Sequence, residues 1–200
     1  AYDKAILEGL TPKAIISVNL FGLPARYRLI DEFAKSKNLF LLEDAAQGFG
    51  GRIKNRKACT FGDVSATSFF PAKPLGCYGD GGAIFTNDDE LAEKMQSIRV
   101  HGGGDNKYNN IRLGLNGRLD TLQAAILIEK LAIFESYINT NFIVPHIPDN
   151  YSSSWAQYSV LLKKKEDREN LVEELSKKRI PSMIYYKTPL HLQKVFKYLN

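Results

Sequence analysis

A single lysine stands in a stretch whose residue types could hold a reactive amine. Residues 64–70 form a short apolar run rich in β-prone residues, and Lys73 follows it between two prolines, Pro71 and Pro74. Because each proline fixes its own φ angle and Pro74 disfavours the helical region for the residue before it, Lys73 is expected on a stiff turn after a strand. A lone lysine among apolar and glycine residues is a candidate for the buried, reactive amine that Schiff-base chemistry requires. The alternative interpretation is a turn lysine whose ammonium group stays in water.

Further polar positions could complete a site for one cofactor. Asp44 and Gln47 follow the apolar run 39–42 closely, and Ser68 stands five residues before Lys73. A carboxylate could hold a protonated pyridine nitrogen, a hydroxyl could hold a phosphate, and a lysine could form an imine. Pyridoxal phosphate needs these three groups together. The alternative for Asp44 is a purely turn-forming role, which is common for aspartate.

The elements around these residues predict a parallel sheet. In chain order the predicted elements are a strand at 14–20, a helix at 27–37 and strands at 39–42, 64–70 and 81–86. A strand, a helix and a strand at the spacing of the first three form a βαβ unit, and the first strand is expected to be buried on both faces. Since ligands bind beyond the carboxyl ends of parallel strands, Asp44 and Lys73 should lie at the same edge of the sheet.

The second half of the chain predicts a long helix followed by a small separate unit. Its predicted elements are a helix at 120–134, a strand at 155–162, a helix at 166–178 and a strand at 180–186. Residues 141–150 are interrupted by prolines, as is typical of a domain boundary. The sequence therefore predicts part of a large domain at 1–140 and a small, incomplete domain at 141–200.

The composition is typical of a globular protein with a mildly basic surface. Hydrophobic residues make up 44% of the 200 residues and charged residues 24%, which is unlike a disordered chain. The net charge of +5 favours anionic partners, but the basic residues are scattered, so nucleic-acid binding is not expected. No apolar run reaches transmembrane length, and the first residues have no signal-peptide pattern, so no membrane partner is expected. Cys59 and Cys77 lack the spacing of a metal site and indicate reduced thiols in the cytoplasm.

Four stretches of the sequence resemble one protein family. They are Glu-Asp-Ala-Ala-Gln at 43–47, the lysine and glycine stretch at 68–82, residues 114–125, and Pro-Leu-His-Leu-Gln at 189–193. Together they resemble the DegT/DnrJ/EryC1/StrS family of pyridoxal-phosphate-dependent nucleotide-sugar aminotransferases. The resemblance implies an α/β fold of fold type I, with a large cofactor-binding domain on a mainly parallel sheet and a small C-terminal α/β domain.

The resemblance also implies a role for each candidate cofactor residue. Lys73 matches the catalytic Schiff-base lysine, and Asp44 matches the partner of the pyridine nitrogen. Gln47 matches a position near the ring hydroxyl, and Ser68 matches a phosphate contact. Asn116 matches a residue that reaches the phosphate of the neighbouring subunit, which implies a homodimer with shared active sites.

Other matched positions concern the substrate. Arg118, Tyr185, Tyr186 and His191 match positions that line the sugar-nucleotide pocket of the family. The stretches 69–80 and 116–120 most resemble the branch that acts on UDP-linked 3-keto sugars, including the 3-keto uronic acid aminotransferase of bacterial O-antigen synthesis. The implied reaction moves an amino group from L-glutamate to a keto group of a nucleotide-linked sugar.

Two alternatives stay open at the level of the sequence. The family's N-terminal phosphate turn and its ring-stacking aromatic residue have no counterpart in these 200 residues, and the stretch after Phe134 is shortened. The chain is therefore not expected to build the whole cofactor site, and a catalytically incompetent fragment or a binding module is one alternative. A pyridoxal-phosphate-dependent sugar dehydratase is the other, although the related dehydratases carry histidine at the position of Lys73.

Overall fold

The structure of the chain is a computed structural model that describes residues 1–106, 108–138, 147–157, 165–184, 188 and 192–195. Its contacts divide the chain into two units, Ala1–Ser159 and Val160–Asn200. This division lies later in the chain than the predicted boundary between residues 140 and 141. The assignment of the two stretches to a large and a small domain of a complete protein stays a prediction.

The regular elements lie mainly in the first unit. The described strands are β1 (Ala14–Val18), β2 (Phe40–Asp44), β3 (Arg52–Ile53), β4 (Arg56–Lys57), β5 (Val64–Ser68), β6 (Gly82–Phe85) and β7 (Tyr151–Ser152). The described helices are α1 (Tyr2–Leu7), α2 (Tyr27–Ser36), α3 (Asp89–Arg99), α4 (Thr121–Ile138) and α5 (Lys165–Lys177). The main sheet has the order β1-β2-β5-β6, and β4-β3-β7 form a small antiparallel sheet.

The main sheet confirms the predicted βαβ unit. Strands β1 and β2 pair in parallel, and α2 connects them. Strand β5 pairs in parallel with β2, whereas β6 returns antiparallel to β5. The carboxyl ends of β1, β2 and β5 therefore lie at one edge of the sheet, which is where the predicted site residues were expected.

Helix α2 covers one face of this sheet. Its buried residues Tyr27 and Ala34 pack with Leu39, Leu41 and Phe61 in one hydrophobic cluster. The rings of Tyr27 and Phe61 are stacked with centroids 4.5 Å apart. The apolar residues of α2 recur at helical spacing, so one stripe of the helix faces the sheet and its charged residues point away.

The opposite face of the sheet is much more open. Side chains alternate along a strand, so Asp44 of β2 shares this face with Ala66 and Ser68 of β5. Ile16 of β1 also lies on it and is 67% exposed. The prediction that the first strand is buried on both faces is therefore wrong for the described residues. The physical reason is that β1 is an edge strand and α2 packs against only one side of the sheet.

A second hydrophobic cluster joins α4 to the segment between β5 and β6. Its buried members are Phe69, Leu75, Cys77, Leu127 and Phe134. The predicted helix at 120–134 is confirmed and continues to Ile138. This cluster is independent of the one under α2, so the two halves of the sheet edge are supported by different parts of the chain.

Near the end of the chain the structure confirms the predicted helix, but the described parts of the two flanking predicted strands are not strands. Helix α5 spans Lys165–Lys177. Residues 155–157 and 180–184, the described parts of the two predicted strands, have no strand structure. Pro181 cannot donate a ladder hydrogen bond, which weakens the second run as a strand.

Candidate active site

Asp44 is the last residue of strand β2, and one of its two carboxylate oxygens accepts a hydrogen bond. Its Oδ1 accepts a hydrogen bond from the amide of Ala46 at 3.0 Å, and the side chain is half-buried. This contact is the local turn-forming role that was the alternative for aspartate. Within the described ranges Oδ2 has no hydrogen-bond partner, so the turn uses only half of the carboxylate.

The neighbouring Glu43 is fully buried on the opposite face of the sheet. Oε1 accepts from Asn19 Nδ2 at 2.8 Å and from the Cys59 amide at 2.9 Å. Oε2 accepts from the Phe61 amide at 2.8 Å and from Ser65 Oγ at 2.6 Å. A buried carboxylate is stable only when its oxygens are fully hydrogen-bonded, and four donors meet that requirement.

Asn19 extends this network to the end of β1. The backbone amide of Asn19 donates to the carbonyl oxygen of Asp44 at 2.9 Å. Its Oδ1 accepts from the Tyr27 hydroxyl at 2.8 Å and from the Ala25 amide at 3.2 Å. We refer to Glu43, Asn19, Tyr27 and Ser65 as the buried polar network. It ties the ends of β1 and β2 and the beginning of β5 to α2, and so fixes the backbone that carries Asp44.

Two titratable groups beside this network are shifted by it. Burial, followed by the charge of Glu43, raises the pKa of the Cys59 thiol from 9.0 to about 12. The same two causes, in the same order, raise the pKa of the Tyr27 hydroxyl well above its ordinary value. Both groups therefore stay protonated in the folded protein throughout the neutral range, and Tyr27 remains a hydrogen-bond donor to Asn19.

Gln47 is held from two sides in the turn after β2. Its Oε1 accepts from the amide of Phe21 at 2.6 Å, and its backbone carbonyl accepts from Ser154 Oγ at 2.8 Å. Phe21 has a φ of +59°, a left-handed conformation that is uncommon for a bulky residue and that clusters at functional sites. Gln47 is thus a buried, oriented side chain at the same sheet edge as Asp44.

The segment between β5 and β6 carries Lys73, and we refer to residues 69–81 as the Lys73 loop. The loop is closed at its base, where the Phe69 amide donates to the Gly81 carbonyl at 2.7 Å. Cys77 crosses it, since its amide donates to the Phe69 carbonyl at 2.8 Å. Just before the loop, Ser68 Oγ accepts from the Phe70 amide at 3.2 Å, and its own hydroxyl proton is left for another acceptor.

Lys73 itself is half-buried at the first turn of this loop. Its amide donates to the Phe70 carbonyl at 2.8 Å, which confirms the predicted turn after the strand. Among the described residues its Nζ has no ion-pair or hydrogen-bond partner. The sequence predicted a buried amine, and the structure places a partly exposed one at the end of the predicted strand.

Helix α4 contacts the loop beyond Lys73. The Tyr78 amide donates to Gln123 Oε1 at 2.8 Å. Lys130 Nζ donates to the Gly76 carbonyl and lies 5.2 Å from the centroid of the Tyr78 ring. Sequence reasoning missed these residues, as it missed the buried polar network and Ser154. Nothing in a run of helical spacing tells which polar residue of the helix will meet a distant loop.

Two further predicted site residues, Asn116 and Arg118, are described by the structure and pair with each other. Asn116 and Arg118 are exposed, and Arg118 Nε donates to Asn116 Oδ1 at 3.0 Å. No hydrogen bond between described residues joins either of them to Asp44, Ser68 or Lys73. Tyr185, Tyr186 and His191 lie outside the described residues.

This arrangement combines groups that could serve an imine-forming pyridine cofactor. A carboxylate oxygen, an oriented amide, a hydroxyl and an amine lie along one sheet edge, on or after β2 and β5. No group of three or more metal-ligating side chains occurs in the part of the chain that the structure describes. None of the described helices is both long and apolar enough to cross a bilayer.

Comparison with known proteins identifies the family of the chain. Residues 3–200 match the DegT/DnrJ/EryC1/StrS aminotransferase family. The chain is 44% identical to UDP-2-acetamido-2-deoxy-3-oxo-D-glucuronate aminotransferase of Pseudomonas aeruginosa, a match that covers 96% of this chain and 57% of that protein. It is 35% identical to UDP-N-acetyl-3-dehydro-alpha-D-glucosamine 3-aminotransferase of Acidithiobacillus ferrooxidans, over 96% of this chain and 55% of that protein.

Solved structures give the same result. A DegT DnrJ EryC1 StrS aminotransferase from Brucella abortus superposes with a TM-score of 0.89 at 48% identity, over 98% of this chain and 56% of that one. The Bacillus subtilis protein NtdA, solved with bound cofactor PMP, superposes with a TM-score of 0.74 at 28% identity, over 96% of this chain and 49% of that one. The chain thus spans about half the length of the relatives that it matches. Since the family match runs over almost all of the 200 residues, the chain belongs to the DegT/DnrJ/EryC1/StrS aminotransferase family.

Proposed function

We propose that this chain is part of a pyridoxal-phosphate-dependent aminotransferase that acts on a nucleotide-linked keto sugar. The observation that carries the proposal is the common edge of β2 and β5. Asp44 ends one strand and Lys73 follows the end of the parallel strand beside it. These are the two groups on which the cofactor's chemistry depends, one at each end of its conjugated system.

The donor set of the described residues fits pyridoxal phosphate. Asp44 has an available Oδ2 that would accept a hydrogen bond from the protonated pyridine nitrogen. Among the described residues the Ser68 hydroxyl donates to no acceptor, so it could donate to the phosphate, and Gln47 is already oriented by Phe21. When bound, the cofactor supplies an electron sink for the carbon that exchanges its amino group.

Lys73 would provide the amine and the proton transfers. Its Nζ has no competing partner among the described residues, so it would be available to hold the cofactor covalently. When it is not bonded to the cofactor, the Nζ amine would act as a general base that removes and returns a proton at the substrate carbon. The charge of Asp44 would favour the protonated form of the ring nitrogen, and the buried polar network holds the backbone that carries Asp44.

The substrate class is taken from the relatives named above and from the sequence resemblance. Two of the relatives are aminotransferases of UDP-linked 3-oxo sugars. We propose L-glutamate as the donor, which leaves as 2-oxoglutarate while the keto carbon of a UDP-3-keto sugar becomes an amine. Arg118, Tyr185, Tyr186 and His191 are the proposed sugar-nucleotide contacts, and Arg118 could pair with a carboxylate through its planar fork. The reaction would serve surface-polysaccharide synthesis, such as that of O-antigen, in the cytoplasm.

A homodimer with shared sites is part of the proposal. Helix α4 carries apolar residues around its whole circumference, and the part of its surface that does not contact the Lys73 loop exposes Leu122, Ile128 and Leu131. Leu122 is 71% exposed, and Leu113 in the segment before the helix is 98% exposed. A helix that is apolar all round is normally buried, and a second copy of the chain would cover this side and receive Asn116.

The dimer is tested by the Leu131→Glu variant of the complete protein, measured by light scattering. Burying an unpaired carboxylate in the interface should raise the dimer dissociation constant by more than about tenfold. Arg118 and Asn116 are untouched, so any loss of activity would follow from dissociation. A monomeric wild type, or a variant that stays dimeric, contradicts the proposed interface.

The cofactor assignment is tested by the absorption spectrum of the complete protein with pyridoxal phosphate. Wild type should develop the band of a lysine-linked cofactor, which borohydride should fix to Lys73, and L-glutamate should convert it to the amine form. The Lys73→Ala variant should show no such band, whereas Lys94→Ala, on the exposed side of α3, should behave as wild type. If Lys73 of the wild type never bonds to pyridoxal phosphate, the cofactor assignment is wrong, and the alternative of a binding module is favoured.

A further inference from the structure

The Lys73 loop is held by one stripe of helix α4. Gln123, Leu127, Lys130 and Phe134 recur at spacings of four, three and four residues, so they lie on one side of the helix. Leu127 and Phe134 are buried against Phe69, Leu75 and Cys77. Gln123 and Lys130 are the polar members of the same stripe, and both make hydrogen bonds to the backbone of the loop.

These two polar contacts lie shortly after the lysine. Lys130 binds the carbonyl of Gly76, three residues after Lys73, and Gln123 binds the amide of Tyr78, five residues after it. One contact offers a donor and the other an acceptor, and Lys130 also lies over the Tyr78 ring. The pair therefore fixes both the position and the direction of the loop backbone, which apolar packing alone does not do.

Loops with several glycines need such external support. The loop contains Gly76 and Gly79 as well as two prolines, and it has no regular secondary structure. Glycine gives the backbone the largest choice of conformations, so without fixed partners the lysine before it would sample several positions. A nucleophile that is misplaced by about 1 Å loses much of its reactivity.

We propose that Gln123 and Lys130 are positioning residues that hold Lys73 where its amine can bond to the cofactor. This inference rests on the proposed function, because it assigns the contacts a role in placing the Schiff-base lysine. It predicts a specific defect: the cofactor should still enter the site when the two contacts are removed, but Lys73 should link to it less completely.

The experiment compares two ligands on the complete protein. Pyridoxal phosphate reports linkage to Lys73 through its absorption band and through borohydride trapping. Pyridoxamine phosphate has no carbonyl group for Lys73 to attack, so its affinity, measured by calorimetry, reports the rest of the site. The test variant is Gln123→Leu with Lys130→Met, and the matched control is Gln96→Leu with Lys94→Met, which changes two exposed residues of α3.

The expected result is a difference between the two ligands. The apparent affinity for linked pyridoxal phosphate should fall about tenfold in the test variant, as for the loss of one or two net hydrogen bonds. The affinity for pyridoxamine phosphate should stay within about twofold, and the control variant should match wild type for both ligands. The single variant Gln123→Glu, in which Lys130 is unchanged, keeps an acceptor oxygen for the Tyr78 amide. Its Lys73 should therefore link to pyridoxal phosphate as in wild type.

A second measurement needs no cofactor. The Tyr78 amide is protected by Gln123 in the structure, so its hydrogen exchange should accelerate by about tenfold in the test variant, while exchange of β2 amides should not change. Equal losses for both ligands, or unchanged linkage and exchange, would overturn the inference. A wild type that never links the cofactor would overturn the proposed function as well, which is a different and recognisable outcome.

Discussion

The two strand ends that carry Asp44 and Lys73 are supported by different physics. Beneath Asp44, the buried polar network consists of hydrogen bonds between groups that are largely inaccessible to water. Around Lys73, the support is a hydrophobic cluster with α4 and two polar contacts at the loop surface. The support of Asp44 consists of directional hydrogen bonds close to the sheet. The support of Lys73 is mostly non-directional apolar packing, and it comes from helix α4, which lies more than 40 residues later in the chain.

The difference matches what each residue has to do. A carboxylate that must face a ring nitrogen needs one fixed orientation, and hydrogen bonds provide it because they depend on angle as well as distance. A lysine that must bond to a cofactor, release it and transfer protons needs a fixed backbone loop but a side chain that is free to move. Apolar packing holds the loop without competing for the amine. The comparison therefore predicts that the Asp44 side tolerates substitution less well than the Lys73 side.

The largest expected effect is that of Glu43→Gln. The NH2 group of the new glutamine would replace one acceptor oxygen, so at least one buried backbone amide, that of Phe61 or Cys59, would lose its acceptor. The free energy of unfolding should fall by about 3–5 kcal/mol. Urea denaturation followed by circular dichroism measures the loss.

Two further variants are compared with Glu43→Gln: a control at an exposed glutamate and a variant on the Lys73 side. Glu32→Gln removes an exposed carboxylate paired with Arg28 and should change the free energy by less than about 0.5 kcal/mol. Gln123→Leu on the Lys73 side should cost about 1 kcal/mol. If Glu43→Gln costs no more than Gln123→Leu, the contrast between the two sides is wrong.

A smaller effect is expected at high pH, again on the Asp44 side. The thiol of Cys59 has its pKa raised from 9.0 to about 12 in the folded state, so above pH 9 the unfolded chain loses this proton first. The unfolded state then binds fewer protons than the folded state, and the free energy of unfolding falls by about 1.4 kcal/mol per pH unit. This contribution, which is intact below pH 9, should decline by about 2–3 kcal/mol at pH 11.

The Cys59→Ala variant identifies the source of this pH dependence. Denaturation of wild type and variant at several pH values between 8 and 11 gives the two slopes. The variant should lose most of the slope between pH 9 and 10, and a residual slope above pH 10 should come from Tyr27, whose pKa is also raised. Identical slopes for the two proteins would show that the thiol ionises equally in both states.

The contrast between the two sides also explains what the sequence could predict. The βαβ unit, the strand before Lys73 and helix α4 follow from hydrophobic periodicity and from proline and glycine positions, and all three are present. Asp44 and Lys73 could be placed at one edge because parallel strands end together. These are local signals combined with one rule of topology.

The supporting residues could not be predicted, because they depend on contacts between distant parts of the chain. Glu43 and Asn19 are 24 residues apart, and Gly76 and Lys130 are 54 residues apart. A buried glutamate looks in sequence like any other glutamate beside an aspartate. The burial of β1 was wrongly predicted for the same reason, since β-branched residues show that a strand is apolar but not how many of its faces are covered.

A last contrast between the two sides concerns two glycines, Gly48 on the Asp44 side and Gly79 in the Lys73 loop. A methyl group at Gly48 would lie 2.5 Å from Cβ of Asn19, which is fully buried and held by the network. A methyl group at Gly79 would meet Gln123 Nε2 at 3.2 Å, at the end of a flexible side chain. Gly48→Ala should therefore cost about 2 kcal/mol and Gly79→Ala less than about 1 kcal/mol, measured by denaturation. Equal costs would mean that the loop is built as rigidly as the strand end. The lysine would then be positioned by the loop backbone itself, and the contacts of α4 would be secondary.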